Sequence, residues 1–341
     1  MRAADDPTVS VIVPTYNRRT RLGRLLAALD RQHRSGIRFE VVVTVDGATD
    51  GTAEMLAGLR PSFPLEVIKR AQGGPAAARN AAIAAATGEV LLFLDDDVVP
   101  QDGLFERHLA VHRRDPRAAA VGRMSAPPGA MLPPWLDWEA ALLDRHYARI
   151  LSGVIPVDWR IFFTANASVR REHAIAVGCF DARFVREEDL EFAHRLADRG
   201  VGFQFISDAV VHHDPDRTLA GWRHMAFERG RHDYMLETQL GRAERSMRDE
   251  WEQRHAVNRA LARYCVGHRH RTQVVARALE HAITSAFQRS RRLRLLLCSA
   301  LFNVMYWEGV AQAAGLGAEI WNAFLERPSY GAVTNSSNAK P

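Results

Sequence analysis

Residues 90–94, Val-Leu-Leu-Phe-Leu, run without a break into Asp95, Asp96 and Asp97, and Pro100 follows shortly after. Five consecutive apolar residues read as a strand buried on both faces. Pro100 stops that strand from continuing through the centre of a sheet. Three adjacent carboxylates at the mouth of a hydrophobic strand repel one another, and a divalent cation among them relieves the repulsion. Hard oxygen ligands of this kind suit Mg2+ or Mn2+. A solvated acidic turn fits the same spacing equally well, so the rest of the chain decides between the two.

That strand is the fourth in an alternating series. Residues 9–13 are a short, continuously apolar strand ended by Pro14. Asn17 is placed to cap the next helix, whose Leu22, Leu25, Leu26 and Leu29 recur at i, i+3, i+4 and i+7. Residues 39–45 form a second strand, stopped by Asp46-Gly47, and a helix fits residues 52–59. Residues 65–68 form a third strand, after which Gly73-Gly74-Pro75 opens an Ala-rich helix with Pro75 in its first turn. The alternation predicts a doubly wound, mostly parallel α/β sheet with helices on both faces. Such sheets bind ligands outside the carboxyl ends of their strands. The unusual residues stand there: residues 14–18, residues 46–50 and the aspartate run. This clustering favours a binding site over an acidic turn.

Farther on, residues 103–114 read as a helix and 118–124 as a strand. Residues 125–159 read as irregular, with Pro127, Pro128, Pro133, Pro134, Trp135, Trp138 and Trp159, the composition of a lid or binding loop. Residues 161–169 hold a strand. Glu187, Glu188 and Asp189 start a helix closed by Arg199-Gly200. Residues 203–206 and 209–211 are strand-like and lead into His212-His213-Asp214. From about residue 217 the pattern is helical and rich in Arg and His. An apolar run over 295–307, too short to span a bilayer, suits a buried or an interfacial helix. The expected organisation is an α/β domain over 1–216, a C-terminal helical extension over 217–327, and a polar tail over 328–341 that lacks order.

A formal charge of +5 and a pI near 9.4 point to an anionic partner. The arginines spread through helices without interleaved aromatic stacking motifs, which argues against nucleic acid. Cys179, Cys265 and Cys298 are scattered and suggest neither a disulfide framework nor zinc, so a reducing cytoplasm is expected. The N-terminus shows no signal-peptide pattern and no 18-residue apolar run exists, so no transmembrane helix is expected. Peripheral contact with the inner membrane face through 289–307 is the accessory reading of the basic stretch there, with a packed helix preferred. A dinucleotide dehydrogenase would need G-x-G-x-x-G after the first strand, and an aspartyl phosphatase would need paired aspartates there. Neither is present.

Five separated motifs occur in order: VSVIVPTYNR (9–18), DGATDGT (46–52), GGPAAARNAA (73–82), GEVLLFLDDDVVP (88–100) and REEDLEFAHRL (186–196). Together they resemble the family 2 glycosyltransferases, enzymes of the GT-A fold that use nucleoside-diphosphate sugars. The resemblance covers residues 8–215. It implies a metal-dependent, inverting transfer from a donor, UDP-sugar expected, to a hydroxyl of a sugar, lipid-linked or small-molecule acceptor; it specifies no oligomeric state. The alternatives are a retaining glycosyltransferase, a nucleotidyltransferase on a related fold, or a basic membrane-surface binding protein without activity.

The resemblance also assigns roles. Pro14, Thr15, Tyr16 and Arg18 belong to the nucleotide-sugar set, with the Tyr16 ring available for stacking. Asp46 would meet the nucleobase, with Asp50 a weaker candidate, although Asp-Gly is also an ordinary turn signal. Arg79 would lie beside the nucleotide, and an ion pair with Asp95 is a compatible structural account. Asp95-x-Asp97 matches the family metal motif. Alternate side chains of an extended strand share a face, which would group Asp95 with Asp97 and set Asp96 apart. Asp97 is then the metal ligand, with Asp95 and Asp96 on the nucleotide side. His213 completes the Mg2+ or Mn2+ site, and His212 is its neighbouring alternative. The cation would offset charge on the departing diphosphate. Asp189 is the expected general base, against a reading in which Glu187, Glu188 and Asp189 only complement the helix dipole. Trp159 and Glu188 are the acceptor candidates, and Trp135 and Trp138 read equally as core. His108 and His112, at i, i+4, could ligate zinc but lack a third ligand.

Overall fold

The computed structural model describes residues 8–33, 36–184, 186–285, 290–317 and residue 321. It comprises two compact units, one of Met1–Met131 with Glu139–Asp216 and the other of Leu132–Trp138 with Arg217–Pro341. The tail expected over 328–341 lies outside the described residues.

The first unit is built on an eight-stranded sheet in the order β3-β2-β1-β4-β7-β6-β8-β5. Strands β1 (Val9–Thr15), β2 (Phe39–Asp46), β3 (Leu65–Arg70) and β4 (Val90–Leu94) are parallel to one another. The near-continuous apolar sequences of β1, β2 and β4 fit strands covered on both faces, while β3, at the sheet edge, is only partly buried. Val9, Val11, Val13, Val41, Val43, Leu92 and Leu94 pack on one face with Leu22, Leu25, Leu26 and Leu29 of α1 (Arg19–His33). On the other face Phe93 meets the rings of Phe180 and Phe192 at 5.4 and 6.2 Å. The Ala-rich α3 (Pro75–Ala85) buries Ala76, Ala78 and Ala82, so it approaches the sheet closely. Between β2 and β3 lies α2 (Thr52–Gly58).

Beyond β4 the sheet becomes mixed, with both antiparallel and parallel pairs. The three-residue β5 (Val98–Pro100) pairs only with β8 (Gly202–His213), at the sheet edge. Pro100, which has no N–H to donate, is tolerated there as it would not be in the centre. After α4 (Leu104–Arg114) come β6 (Ala118–Ser125) and β7 (Asn166–Arg170), which extend the sheet, and α6 (Arg171–Ala176) and α7 (Glu188–Asp198), which flank it. The two strand-like pieces read at 203–206 and 209–211 are one strand, β8, whose pairing with β6 shifts register between Gly122 and Arg123.

The clearest correction concerns residues 125–159. Instead of an irregular lid, the chain forms α5 (Pro134–Leu151) and a short 3-10 turn, Trp159–Ile161. The signals were present but masked by prolines. Pro134 sits at the helix start, where proline is favoured. Leu136, Leu143, Tyr147 and Ile150 then recur at helical spacing, and Leu136, Tyr147 and Ile150 are buried.

The second unit is helical: α8 (Leu219–Gln239), α9 (Ala243–Glu252), α10 (Ala256–Cys265), α11 (Arg269–Thr284) and α12 (Arg291–Ala313). Its core holds Trp138, Trp222, Trp251, Phe302, Trp307 and Trp321. Trp135, partly buried, donates Nε1–H to the Arg217 carbonyl at 2.8 Å. Trp135 and Trp138 are therefore packing residues of this unit. The apolar run over 295–307 supplies Cys298, Leu301, Phe302, Val304, Tyr306 and Trp307 to the same core. Among the described residues no helix is long and apolar enough to cross a membrane. Helices α8 and α12 cross at backbone distance: a Cβ on Gly230 would lie 1.9 Å from the Tyr306 carbonyl oxygen, and one on Gly309 would lie 2.0 Å from that of Phe227.

Candidate active site

The ends of β1 and β4, helix α3, the start of α7 and the end of β8 each contribute polar side chains, and these form two clusters. The first is centred on the aspartate run. β4 ends at Leu94, and residues 95–97 form a turn rather than more strand, with the Val98 N–H on the Asp95 carbonyl at 3.4 Å. Strand alternation therefore does not apply to them. Asp96 and Asp97 lie together, and Asp95 is the one set apart. Thr15 at the end of β1 donates its hydroxyl to Asp96 Oδ2 at 2.8 Å. Arg18 donates Nη1–H to Asp97 Oδ2 and stands 4.0 Å from Asp96 Oδ1.

His213 reaches Asp97 from β8. Its register opposite Val98 brings Nε2 to 3.4 Å from Asp97 Oδ1, and the Asp214 N–H bonds the Asp97 carbonyl at 2.9 Å. Neighbouring His212 contacts instead Gln101 Nε2 and Ser125 Oγ, at 2.9 and 3.1 Å. Of the two histidines, His213 is the one beside the aspartates. Burial alone would raise the Asp97 carboxyl, but the His213 bond and charge, with the Arg18 guanidinium, outweigh it and hold Asp97 well below the usual carboxylate range. Asp96 goes the other way. Burial, reinforced by the Asp97 charge, pushes it up to about 7 against the opposing pull of Arg18.

Among the described residues no three His, Cys, Asp or Glu side chains converge as a ready-made metal cage. Asp97 Oδ1 and His213 Nε2 nevertheless form a close oxygen–nitrogen pair. Mg2+ beside phosphates is commonly held by one or two carboxylates with phosphate and water in the remaining positions, and Asp97 is the carboxylate here. The donor set thus fits a divalent cation completed by a diphosphate.

The second cluster is centred on Arg79, which is buried in α3. Its guanidinium donates to Asp95 Oδ1 at 2.9 Å and to Glu188 Oε1 at 2.6 Å, and it lies over the Phe180 ring at 5.7 Å. One cation thus ties the end of β4 to the first turn of α7. Glu188 is buried and bound to Arg79. Asp189, the next residue, is half-buried, and its Oδ1 accepts the Leu190 N–H at 2.9 Å. Desolvation, helped by the Glu188 charge, pushes the Asp189 carboxyl up to about 7 against the pull of Arg79. A carboxyl with that value near neutral pH suits proton transfer.

Asp46 is 5% exposed and already engaged. Its carboxylate accepts the Gly73 and Gly74 N–H groups at 3.0 and 2.8 Å and Arg70 Nη1–H at 2.7 Å. It anchors the loop before α3. Arg70 went unread in the sequence, although it ends β3 in register with Asp46 at the end of β2. Asp50 accepts the Arg19 N–H at 3.0 Å and so caps α1, while the Asn17 side chain accepts the Thr49 N–H at 2.7 Å. Capping of α1 had been expected of Asn17. Pro14 is part-buried and Tyr16 is 45% exposed, its ring open at the rim. Trp159 is buried, with its ring 5.0 Å from that of His194 and with Arg160 over it at 4.6 Å.

His108 and His112 lie away from this site as a neutral buried pair. His108 Nδ1 and His112 Nε2 share Ser168 Oγ at 2.8 and 2.7 Å, and His108 Nε2 meets Asn166 Oδ1 at 3.0 Å. Burial drives their pKa values down to about 4 and about 3.

The model of glycosyl transferase family 2 matches residues 10–191. Among curated proteins, the chain is similar to the uncharacterised glycosyltransferase YfnE of Bacillus subtilis, 28% identical over 253 residues, which covers 60% of this chain and 64% of that protein. It is also similar to the pre-mycofactocin glycosyltransferase of Mycobacterium tuberculosis, 30% identical over 216 residues, with 63% of this chain and 44% of that protein covered. The chain thus spans less than two thirds of the length of either relative. Among solved structures, the mannosyltransferase PcManGT of Pyrobaculum calidifontis in complex with GDP-Man and Mn2+ superposes with a TM-score of 0.53 at 20% identity, covering 94% of this chain and 79% of that one. TarS 1-349 of S. aureus in complex with UDP-GlcNAc superposes with a TM-score of 0.50 at 17% identity, covering 91% and 92%. At these identities the superpositions establish a shared fold.

Proposed function

The chain belongs to glycosyl transferase family 2, and on that premise we propose that it transfers a sugar from a nucleoside-diphosphate donor to an acceptor hydroxyl with inversion at the sugar carbon. The observation that carries this reading is the bridge made by Arg79. It binds Asp95 of the aspartate run and Glu188 beside Asp189, so a cation-and-phosphate region and a carboxylate base border one another. Direct displacement needs those two functions on opposite sides of one reacting carbon.

The roles follow from the geometry. Tyr16 at the rim stacks on the nucleobase, and Pro14 and Thr15 line the β1 end beneath it. UDP is the nucleotide we propose, as in the TarS complex. Asp97 and His213 are the residues that would hold Mg2+ or Mn2+, and such a cation would supply positive charge to offset that of the leaving diphosphate. Arg18, already at Asp97, adds a fixed cation on the same side. Asp95 is held by Arg79 in place for the ribose, and Asp96 is fixed by Thr15. Asp189 takes the proton of the acceptor hydroxyl as its oxygen attacks the anomeric carbon. The acceptor is a sugar, a lipid-linked sugar or a small molecule, and Trp159 borders its side.

A thermal-shift series with UDP, GDP and TDP, each with and without Mn2+, tests the donor side. The expected result is a rise in melting temperature with UDP that grows when Mn2+ is added. If no nucleotide stabilises the protein more with metal than without, the proposal is wrong. The anomeric configuration of the product, read by NMR, tests inversion.

A further inference from the structure

Residues 253–279 contain six arginines and three histidines and not one aspartate or glutamate. They form most of α10 and α11, and both helices pack on α12. The inward positions are Ala262 and Cys265 on α10 and Thr272 and Ala276 on α11. That leaves Arg263, Arg269, Arg271 and Arg277 exposed. By contrast Arg223, Arg231 and Arg242 elsewhere in the second unit, and Arg254 just before α10, each bond a carboxylate. Among the described residues Arg263, Arg269 and Arg277 make no ion pair.

Large apolar side chains are exposed among these arginines: Val257 at 63%, Tyr264 at 54% and Val274 at 52%. Val257 and Tyr264 are seven residues apart on one face of α10, and Val274 lies one turn before Arg277 on α11. The Arg271 guanidinium lies over the Tyr264 ring at 4.9 Å, which joins the two helix faces into one surface.

We propose that this outer face of α10 and α11 docks the protein on an anionic lipid bilayer. The arginines meet headgroup phosphates, and Val257, Tyr264 and Val274 seat in the headgroup boundary. Basic side chains around exposed apolar ones are the pattern by which helices lie on such surfaces. A soluble polyanion would satisfy the arginines alone and leave the three apolar side chains in water. The proposal does not depend on which sugar is transferred.

Flotation of the full chain with phosphatidylcholine vesicles, with and without phosphatidylglycerol, tests the proposal. The protein is expected to float with the anionic vesicles and to stay behind with the neutral ones. The double reversal Arg263→Glu with Arg277→Glu should weaken the anionic binding by at least about 25-fold, at about fivefold per arginine. Val257→Ser with Val274→Ser, which keeps every charge, should weaken it as well, and it serves as the readout if the reversal variant misfolds. Arg292→Glu on α12 should leave binding unchanged. Equal flotation on neutral vesicles, full binding by both double variants, or loss confined to Arg292→Glu would overturn the proposal. So would capture by soluble polyphosphate with no flotation.

Discussion

The two units solve the same packing problem in opposite ways. The first buries the central strands β1, β2 and β4 and lets carboxylates collect at the strand ends, and residues 1–216 carry 26 basic and 29 acidic side chains. The second buries a cluster of tryptophans and turns its arginines outward, with 19 basic against 11 acidic side chains in residues 217–341. The excess positive charge of the chain belongs entirely to the second. In the first unit buried charges are paired and specific, as with Arg79 between Asp95 and Glu188. In the second the exposed charge is diffuse, which suits an extended anionic partner better than a small one.

If that contrast holds, changes in the first unit should act on chemistry and changes in the second on packing or surface binding. The largest expected effect is from Asp189→Asn. It should lower the transfer rate by about 10²- to 10⁴-fold, the usual worth of a general base, and keep the nucleotide-dependent thermal shift. Normal turnover would remove Asp189 from the role. In the unaltered protein the rate should rise with pH through about 7, because the base must be ionised and burial beside Glu188 has raised its pKa to that value. Glu188→Gln removes a neighbouring negative charge and should move this limb to lower pH.

Arg79→Ala comes next. It leaves Asp95 and Glu188 without their shared cation, and breaking a buried pair in this way costs about 3–5 kcal/mol. Urea denaturation measures the loss. A cost below about 1 kcal/mol would show the bridge to be loose.

Acid should destabilise the first unit through His108 and His112. Their folded pKa values, about 4 and about 3, lie below the ordinary histidine value of 6.5. Between those limits the unfolded chain binds protons that the folded chain refuses, so stability is present above pH 6.5 and falls as pH drops towards 4. Each histidine contributes at most about 1.4 kcal/mol per pH unit. A fall of about 2–4 kcal/mol between pH 7 and pH 5 is expected in denaturant titrations of the whole chain. His112→Gln should reduce that slope.

The smallest effect sharpens the contrast from the other side. Gly309→Ala places a methyl group against the Phe227 carbonyl and should destabilise the second unit by about 1–3 kcal/mol. The thermal shift with nucleotide and Mn2+ should persist in this variant. Its disappearance would mean that the two units do not divide the work.

Much of the parallel half of the sheet is legible in the sequence because β1, β2 and β4 are short, mostly apolar and closed by proline, Asp-Gly or aspartates. Such runs have one low-energy fate, burial on both faces, and it needs no knowledge of neighbours. The helix α5 was hidden because a cluster of prolines and tryptophans reads as a loop until a partner surface for its apolar side is known. Arg70 was missed for a related reason: its partner Asp46 is 24 residues away, and only strand register brings them together.

The sequence by itself determined which residues could do chemistry here: the aspartate run, Arg79, the His212-His213 pair and the carboxylates at the start of α7. Local chemistry limits that choice, since few side chains can carry charge, bind a metal or move a proton. Only the tertiary structure decided how they are grouped. It placed Asp97 with Asp96 because the chain turns at Leu94, chose His213 through its pairing opposite Val98, and gave Glu188 to Arg79. Those outcomes depend on contacts between segments up to about a hundred residues apart, and no local pattern specifies them.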